Sequence, residues 1–326
     1  MSASRLPFQK IINELLDGKK SLSRTALRDF SDIDSETLNA LLEAWPRIAP
    51  DRKQMLLGEL QTLTDNDTRV CFDDFARAIL NDPDAQVRIS AIHLLEECDD
   101  AKLVPIYLKM LSDDPEASAR KAAAAALGKF VQLGELEGIP KKTQRRIEEA
   151  LQEKANGEDQ ASVRRQALES IGYSARPEAM VLIKSAFQRE DPDWQASALS
   201  AMGHSSDERW EKEVLPKLLD EIPRVQSAAI EAAGELGLTS AREILLKLLV
   251  DEENDDLVST AIWSLSQIGG EDVRVYLEGL LDQTEDEDQV EFLEEALDNM
   301  AFTEDLAKFE LLNLDIDDDL VDEEEE

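Results

Sequence analysis

The chain contains only two histidines, the residues most often used for proton transfer and metal binding. His93 lies in the apolar stretch VRISAIHLL, and His204 lies in GHSSDERW. A catalytic histidine needs a nucleophile and an orienting acid, and neither is evident beside these two. The Ser205-x-x-Glu208 spacing instead favours a capping box, in which two side chains satisfy backbone N–H groups at a helix start. We therefore predict a structural role for His204 and no catalytic residue.

The two cysteines are Cys71 and Cys98, and both fall in stretches that read as helical. We expect both to be small buried apolar residues, because no disulfide framework exists and zinc would need a cluster of Cys and His ligands. The sequence also lacks a Gly-rich phosphate loop and a G-x-S-x-G motif. These observations predict a protein that is not an enzyme and that binds no metal and no cofactor.

One dense basic cluster interrupts an otherwise acidic chain: Lys141, Lys142, Arg145 and Arg146. Such runs are usually solvated helix ends. Two alternatives remain open: the cluster could dock the acidic end of this chain, or it could bind an acidic partner. Nucleic acid is not an expected partner, because a short patch would have to oppose a net charge of −37.

The negative charge increases along the chain. Residues 1–80 carry 11 basic and 13 acidic groups, whereas residues 282–326 carry 21 acidic groups and one basic group. Adaptation to salt would acidify the whole surface, and this gradient argues against it. The segment 313–326 holds nine acidic groups and cannot bury enough apolar area to fold alone. We predict that it is disordered.

The sequence has no apolar run of membrane-spanning length, and its first residues lack the pattern of a signal peptide. We therefore expect a cytoplasmic protein that does not bind membranes. This agrees with cysteines that form no disulfide framework.

The elements that would position these residues repeat along the chain. An alanine, which we call the anchor, recurs at intervals of 32, 44, 31, 31 and 32 residues, and a leucine continues the series 32 residues later. The series consists of Ala91, Ala123, Ala167, Ala198, Ala229, Ala261 and Leu293. A period of about 30 residues, long enough for two helices, is typical of an α-solenoid. The fold class is thus all-α, and we predict a right-handed solenoid of about eight hairpins.

Alanine suits the anchor position because packed helices approach closely only where the contacting side chain is small. We expect the anchors to be buried in the second helix of each hairpin. The organisation that follows is an N-terminal helix and polar connection over 1–34, a solenoid over 35–312, and an acidic tail over 313–326. An insertion near 133–157 accounts for the long interval and should extend a loop and the next helix.

Aspartate, proline and glycine mark the expected helix ends. Asp82-Pro83, Asp114-Pro115 and Asp191-Pro192 are predicted to begin second helices, since aspartate can cap and proline fits the first turn. Glycines near the ends of second helices are expected to form left-handed C-terminal caps. These glycines are Gly128, Gly172, Gly203, Gly237 and Gly269.

The Asp-Pro turn, the Val-Arg start, the A-x-x-x-L/I core and the terminal glycine together resemble HEAT repeats, specifically the PBS-lyase HEAT-like class. The resemblance covers about residues 50–300. It implies a hydrogen-bonded ladder between repeats, made by a turn acid and the arginine six positions on. Three pairs have that spacing: Asp82/Arg88, Asp114/Arg120 and Glu158/Arg164. In later repeats Gln195, Gln226 and Val258 replace the arginine.

The resemblance also implies that second helices line a concave binding surface. Positions two before and two after each anchor would face it, and they include His93, Arg165, Glu169, Glu231 and Trp263. An exposed tryptophan is a common binding anchor, although packing between repeats is the alternative for Trp263. Trp194 falls four positions before an anchor and is expected in the core.

Two enzyme families share these repeats. Deoxyhypusine hydroxylase holds two iron ions through paired His-Glu motifs, and neither histidine here precedes a glutamate. Bilin lyases offer no compact motif to test. The sequence therefore favours a monomeric, non-enzymatic adaptor that binds a protein partner whose identity the sequence does not name. The alternatives are a bilin lyase or chaperone-like protein of the phycobiliprotein type, and a structural scaffold subunit of a larger complex.

Overall fold

A computed structural model describes residues 5–17, 22–251 and 254–303. These residues form helices joined by short connections, and no β-strand occurs among them. The chain divides into two compact units, with unit 1 running from Met1 to Ala167 and unit 2 from Leu168 to Glu326. The acidic tail over 313–326 lies outside the described residues.

Unit 1 is a series of antiparallel helical hairpins preceded by a short N-terminal part. Asp34 caps the helix that begins at Ser35 by accepting hydrogen bonds from the backbone N–H groups of Glu36 and Thr37. The helices of this unit are α1 (Arg5–Asp17), α2 (Arg24–Arg28), α3 (Ser35–Ala44), α4 (Pro50–Asn66), α5 (Asp73–Ile79), α6 (Ala85–Leu94), α7 (Val104–Asp113), α8 (Ala117–Glu135) and α9 (Lys141–Asn156), followed by α10 (Ala161–Ile171), in which the unit boundary falls.

Unit 2 repeats the hairpin with a shorter first helix in one case, where α13 is flanked by single 3₁₀ turns. Its helices are α11 (Pro177–Phe187), α12 (Pro192–His204), α13 (Glu211–Val214), α14 (Pro223–Glu235), α15 (Arg242–Asp251), α16 (Asp255–Ile268), α17 (Glu271–Leu281) and α18 (287–303). The parts of the chain that the structure describes hold eight hairpins, from α3/α4 to α17/α18. Each unit is an α-solenoid, as the alanine period predicts.

The anchors lie in the core as predicted. All six alanines have no exposed surface, and Leu293 is buried. Trp194, four positions before an anchor, is also buried. Because the anchor carries only a methyl group, the neighbouring helices pack directly around it.

We expect Ala229→Leu to lower the free energy of unfolding by about 1–3 kcal/mol, because three further carbons have no space in this packed site. Urea denaturation followed by circular dichroism would measure the change. Val275→Leu, at an exposed position of α17, is the matched control and should leave stability within about 0.5 kcal/mol. Equal effects of the two substitutions would contradict the packing role of the anchor.

Only two of the five predicted glycine caps are left-handed. Gly237 and Gly269 have φ values of +62° and +70° and follow their helices. Gly128 and Gly203 instead lie inside α8 and α12, and Gly172 follows α10 without a positive φ. The sequence prediction is wrong for these three, because a glycine that permits close helix packing occupies the same region of a repeat as a cap.

Gly172 and Gly203 show what the packing glycines do. A methyl group at Gly172 would lie 2.6 Å from the carbonyl oxygen of Ala201, and one at Gly203 would lie 3.0 Å from the Cα atom of Ala232. Each glycine lies five positions after its anchor, and the residue that it contacts lies three positions after the next anchor. Backbone therefore meets backbone along the second helices of unit 2, and glycine is required for this approach.

The Asp-Pro prediction for helix starts holds only at α12, where Asp191 is the N-cap and Pro192 the first residue. Helix α6 begins two residues after Pro83 and is capped by Asp84, and α8 begins two residues after Pro115. Asp82 and Asp114 are not the N-caps of α6 and α8, and their carboxylates accept side-chain hydrogen bonds from Lys53 and Arg88.

The cysteine prediction is partly wrong. Cys98 is buried, but Cys71 is exposed, and both lie in connections rather than in helices. Burial raises the pKa of the Cys98 thiol, which keeps it protonated at neutral pH.

Among the described residues, no helix is long and apolar enough to span a membrane.

The insertion near 133–157 lengthens helices more than it lengthens a loop. Helix α8 has 19 residues and α9 has 16, whereas the connection between them covers only 136–140. The two helices meet where Gln144 lies against Gly134, whose missing side chain leaves room for the amide. The predicted longer loop is therefore wrong, and the predicted longer helix is present.

A ladder of buried ion pairs joins the hairpins of unit 1. The Arg88 guanidinium donates to both carboxylate oxygens of Asp114 at 2.6 and 2.8 Å, and to the carbonyl oxygen of Asp82 at 2.8 Å. Arg120 repeats this pattern with both carboxylate oxygens of Asp159, at 2.6 and 2.9 Å, and with the carbonyl oxygen of Asp114. Each arginine therefore holds its own turn and the next one together.

The observed ladder differs from the predicted pairs in two ways. The arginine contacts the backbone of its own turn acid and the carboxylate of the next, so Asp82/Arg88 and Asp114/Arg120 are not side-chain ion pairs. In the third turn Asp159 accepts the hydrogen bonds, and the exposed Glu158 does not. Hydrogen bonding by Arg120 holds the pKa of Asp159 far below its usual range.

The ladder begins one repeat before the first predicted pair. Lys53 of α4 donates to the Asp82 carboxylate at 2.6 Å, and the indole N–H of Trp45 donates to the same oxygen at 2.7 Å. The Lys53 and Asp82 side chains are only 6% and 1% exposed. Burial alone would raise the pKa of Asp82, but these hydrogen bonds keep it below its ordinary value. Lys53 thus takes the position that arginine holds in the next repeats.

Glutamine keeps part of the ladder in unit 2. Gln195 donates to the carbonyl oxygen of Arg189 at 2.7 Å, six residues earlier, as the arginines of unit 1 do. Its amide oxygen accepts from Lys217 at 3.3 Å, and Lys217 donates to Asp220 of the next turn at 2.8 Å. The link to the next repeat therefore passes through a lysine where the longer arginine is missing.

Candidate functional site

A row of polar and aromatic side chains runs along the second helices of unit 2. Each member lies six positions after its anchor, so one side chain comes from each repeat. The row consists of Tyr173, His204, Glu235, Gln267 and Asn299. The regular spacing of the second helices brings the first three into direct contact. We call this set the plus-six row.

His204 lies at the centre of these contacts. Its ring stacks on Tyr173 with centroids 4.4 Å apart and planes 5° from parallel. Its Nδ1 lies 3.0 Å from the carbonyl oxygen of Glu169, so Nδ1 carries the proton and donates it. Burial lowers the pKa of His204, although the Glu169 carbonyl partly opposes the effect. The neutral ring therefore presents its Nε2 lone pair to Glu235, whose carboxyl oxygen is 3.9 Å away.

The predicted capping box at His204 is wrong. Ser205 follows the last residue of α12 and donates its hydroxyl to the carbonyl oxygen of Met202 at 2.6 Å. Asp207 caps the following 3₁₀ turn by accepting from the N–H of Arg209 at 3.1 Å. The 3₁₀ turn after α12 thus starts two residues later than the Ser-x-x-Glu pattern predicts. His204 is not part of its cap, and its side chain belongs to the plus-six row.

Glu235 is held in an unusual environment for a carboxyl group. Its carboxyl lies directly against Gly203, where any larger residue would collide with it. Partial burial, together with the neighbouring charge of Glu231, raises the pKa of Glu235 to about 7. The imidazole of His204 lies 3.9 Å from this carboxyl, but its lowered pKa keeps it uncharged at neutral pH, so it supplies no positive charge to Glu235. Glu235 is therefore partly protonated near neutral pH.

We expect wild-type protein to lose stability relative to Glu235→Gln as pH rises from 5 to 8. The folded-state pKa of about 7 exceeds the ordinary value of 4.5, so folding favours the protonated form. That stabilisation is complete below pH 4.5 and is lost as pH rises through 7. Urea denaturation at several pH values would measure it.

Glu243→Gln is the matched control for this pH series. Glu243 is exposed, and its hydrogen bond with Lys247 lowers its pKa, so its protonation does not change between pH 5 and 8. The stability difference between this variant and wild type should stay constant over that range. A constant difference for Glu235→Gln as well would show that Glu235 is not held in its protonated form.

Trp263 forms the wall of a cleft beside the plus-six row. The cleft has a volume of about 320 Å³. It is lined by Glu231, Glu235, Thr260, Trp263, Ser264 and Gln267. The Trp263 side chain is 40% exposed, whereas Trp45, Trp194 and Trp210 are buried. We call this site the Trp263 cleft.

The Trp263 cleft contains two of the five residues predicted for the binding surface, Glu231 and Trp263. The backbone carbonyl of Glu169 accepts the hydrogen bond from His204, and the Glu169 charge also acts on that ring. His93 and Arg165 belong to unit 1: His93 is exposed beside a separate cavity of about 580 Å³, and Arg165 is half-buried. The predicted residues therefore do not make up one site within either unit.

The basic cluster is exposed at the start of α9, as a solvated helix end would be. Lys141 donates to the carbonyl oxygen of Gly134 at 3.0 Å, and Arg145 pairs with Glu149 at 3.1 Å. Two of the four basic side chains therefore form polar contacts within unit 1. Docking of the acidic tail and binding of an acidic partner both stay predictions, because residues 313–326 lie outside the described part of the chain.

Tyr173, His204, Glu235 and Gln267 were not predicted to share one surface. Their common spacing from the anchors is present in the sequence, but the predicted binding surface included only positions two before and two after each anchor. Metal binding has no support in the described ranges, where no three His, Cys, Asp or Glu side chains are grouped to hold an ion.

One comparison with known proteins, the match to a family model, supports the fold. The family model for HEAT repeats matches residues 74–145 and 211–298. A search of curated proteins gives no match. Among solved structures, Escherichia coli YibA is 16% identical with a TM-score of 0.39, and the alignment covers 92% of this chain and 98% of YibA.

Two further structures show similarities of the same order. Human deoxyhypusine hydroxylase is 18% identical with a TM-score of 0.34, covering 81% of this chain and 98% of that enzyme. Kap95p bound to RanGDP is 15% identical with a TM-score of 0.39, covering 90% of this chain and 41% of Kap95p. Similarities at this level carry no conclusion about function.

The two matched regions contain five of the seven anchors, and Ala167 and Ala198 lie between them. This chain contains HEAT repeats over these two regions.

Proposed function

We propose that this protein is a non-enzymatic adaptor that binds a partner protein through the Trp263 cleft of unit 2. The observation that carries the proposal is a tryptophan, 40% exposed, that lines a cleft with two carboxyl groups. Tryptophan is enriched among the residues that dominate binding energy, because a large rigid surface is buried at little entropic cost. The other three tryptophans are used in the core.

The packing of unit 2 supports a preformed binding surface. Close backbone contacts at Gly172 and Gly203 fix the spacing of the second helices. The stacked pair Tyr173–His204 and the bond from His204 to the Glu169 carbonyl order the neighbouring side chains before any partner arrives. A preorganised surface loses less entropy on binding than a flexible one.

We expect Trp263→Ala to weaken partner binding by at least 30-fold, which corresponds to about 2 kcal/mol. The experiment selects ligands from a display library of random 12-residue peptides, using the full chain as bait. The affinities of the selected peptides are then measured for wild type, Trp263→Ala and Val275→Ala. Val275 is an exposed apolar residue on α17, so its substitution should leave affinity unchanged.

Selected peptides that bind Trp263→Ala as tightly as wild type would contradict the proposed site. Circular dichroism and the urea midpoint of each variant provide the folding control. Because Trp263 is partly exposed, its replacement should leave the helical content of unit 2 intact.

A further inference from the structure

The Trp263 cleft has a specific chemical character. The cleft is lined by the aromatic Trp263 and by two acidic residues, Glu231 and Glu235. Gln267 and Thr260 add polar side chains at the edge. An indole face attracts cations through its quadrupole, and carboxylates accept hydrogen bonds from them. A volume of about 320 Å³ suits one long side chain rather than a whole domain.

The two carboxyl groups lack a permanent cation. Within the ranges that the structure describes, no lysine or arginine forms an ion pair with Glu231 or Glu235. Glu231 accepts only a long hydrogen bond from Ser227, at 3.3 Å. His204, 3.9 Å from Glu235, is stacked on Tyr173 and donates its proton to the Glu169 carbonyl. The site therefore holds two adjacent carboxyl groups that a cation from outside would stabilise.

We infer that the Trp263 cleft binds an arginine side chain of the partner, with the guanidinium stacked on Trp263 and hydrogen-bonded to Glu231 and Glu235. This inference rests on the proposed function, because it names the group that a partner inserts into the same cleft. Arginine fits better than lysine for a geometric reason. Its planar guanidinium stacks on an aromatic face and donates along its edge, and it is more weakly hydrated than an ammonium group.

Binding of arginine should depend on pH through the groups around Glu235. His204 of α12 and Glu231 of α14 are the titratable groups beside it, and Tyr173 lies behind His204. Helix α16 contributes Thr260, Trp263, Ser264 and Gln267, none of which titrates near neutral pH. An arriving guanidinium favours ionised Glu235, so binding releases a proton and strengthens as pH rises from 6 to 8.

The test uses the full chain and three defined probes: acetyl-Gly-Arg-Gly-amide and its citrulline and lysine counterparts. Citrulline keeps the shape of arginine without its charge. Binding is followed by the indole N–H signal of Trp263 in ¹H–¹⁵N spectra, which is assigned by its loss in Trp263→Phe. We expect a saturable shift with the arginine peptide, at least fivefold weaker binding of the lysine peptide, and no shift with citrulline.

Two variants connect the shift to the carboxyl groups. Glu231→Gln and Glu235→Gln should each weaken arginine binding at least fivefold at pH 8, whereas the exposed Glu243→Gln should not. Binding should also weaken at 1 M salt, where the Debye length falls to about 3 Å. Equal shifts with arginine and citrulline, or unchanged binding in both glutamine variants, would overturn the inference.

Failure of the inference can be distinguished from failure of the proposed function. If the selected 12-residue peptides require Trp263 but contain no basic residue, the cleft binds a partner and the arginine assignment is wrong. If none of them depends on Trp263, both are wrong.

Discussion

Lys53→Met is expected to lower the free energy of unfolding by about 3–5 kcal/mol, one of the two largest effects predicted for this protein. The substitution leaves the Asp82 carboxylate buried and without its cation, since both side chains are almost inaccessible to water. The indole N–H of Trp45 and the N–H of Asp84 remain as donors, but they cannot replace a full charge. Urea denaturation at pH 7 would measure the loss.

Two further variants isolate the charge from the side chain. Lys10 forms an exposed ion pair with Glu14 in α1, so Lys10→Met should change stability by about 1 kcal/mol or less. Adding Asp82→Asn to Lys53→Met removes the unpaired charge and keeps an oxygen for Trp45, so the double variant should recover part of the loss. Equal losses for Lys53→Met and Lys10→Met would show that the ladder does not stabilise unit 1.

Gly172→Ala should destabilise the protein by about 1–3 kcal/mol, because an added methyl group has no space at this position. The added methyl group would lie 2.6 Å from the Ala201 carbonyl oxygen and 2.7 Å from its Cα atom. Both are backbone atoms of α12, so no side-chain rotation can relieve the contact. The helices would have to separate along the surface that carries the plus-six row.

Gly279→Ala is the matched control for this prediction. Gly279 lies inside α17 with no atom within 4 Å of an added methyl group. Alanine there should stabilise the protein by about 0.5–1 kcal/mol, because glycine loses more backbone entropy on folding. The two substitutions thus have opposite expected signs, and stabilisation by both would contradict the close approach at Gly172.

The sequence predicted the buried framework because the framework repeats. Anchor alanines at a nearly constant interval had one physical explanation, which is close packing of second helices, and every one of them is buried. The glycines were harder to interpret. Gly203 lies five positions after its anchor and Gly237 lies eight positions after its anchor, and only Gly237 adopts a positive φ, whereas Gly203 makes room for Glu235.

The ladder shows a second limit of sequence reasoning. Glu158 and Asp159 are adjacent acids in one turn, and only the backbone geometry of the turn decides that Asp159 receives Arg120. Lys53 was not predicted to join the ladder, because its repeat is degenerate and its partner Asp82 lies 29 residues away. In both cases the residue type was informative, but the pairing required three-dimensional positions.

The candidate site was predictable only in part. Trp263 and Glu231 were identified because their spacing from the anchors matches the binding face of HEAT-like repeats. Glu235 was missed, since its raised pKa depends on how closely the carboxyl packs against Gly203 and on the charge of Glu231. Neither the packing of this carboxyl against Gly203 nor its distance from Glu231 follows from residue spacing alone.

The most direct test of the binding proposal is ¹⁹F NMR of the full chain labelled with 5-fluorotryptophan. The protein has four tryptophans, and Trp263 is the exposed one, identified by loss of its signal in Trp263→Phe. On addition of a selected 12-residue peptide, we expect the Trp263 resonance to shift while those of Trp45, Trp194 and Trp210 stay in place. Formation of the complex with an unchanged Trp263 resonance would contradict it.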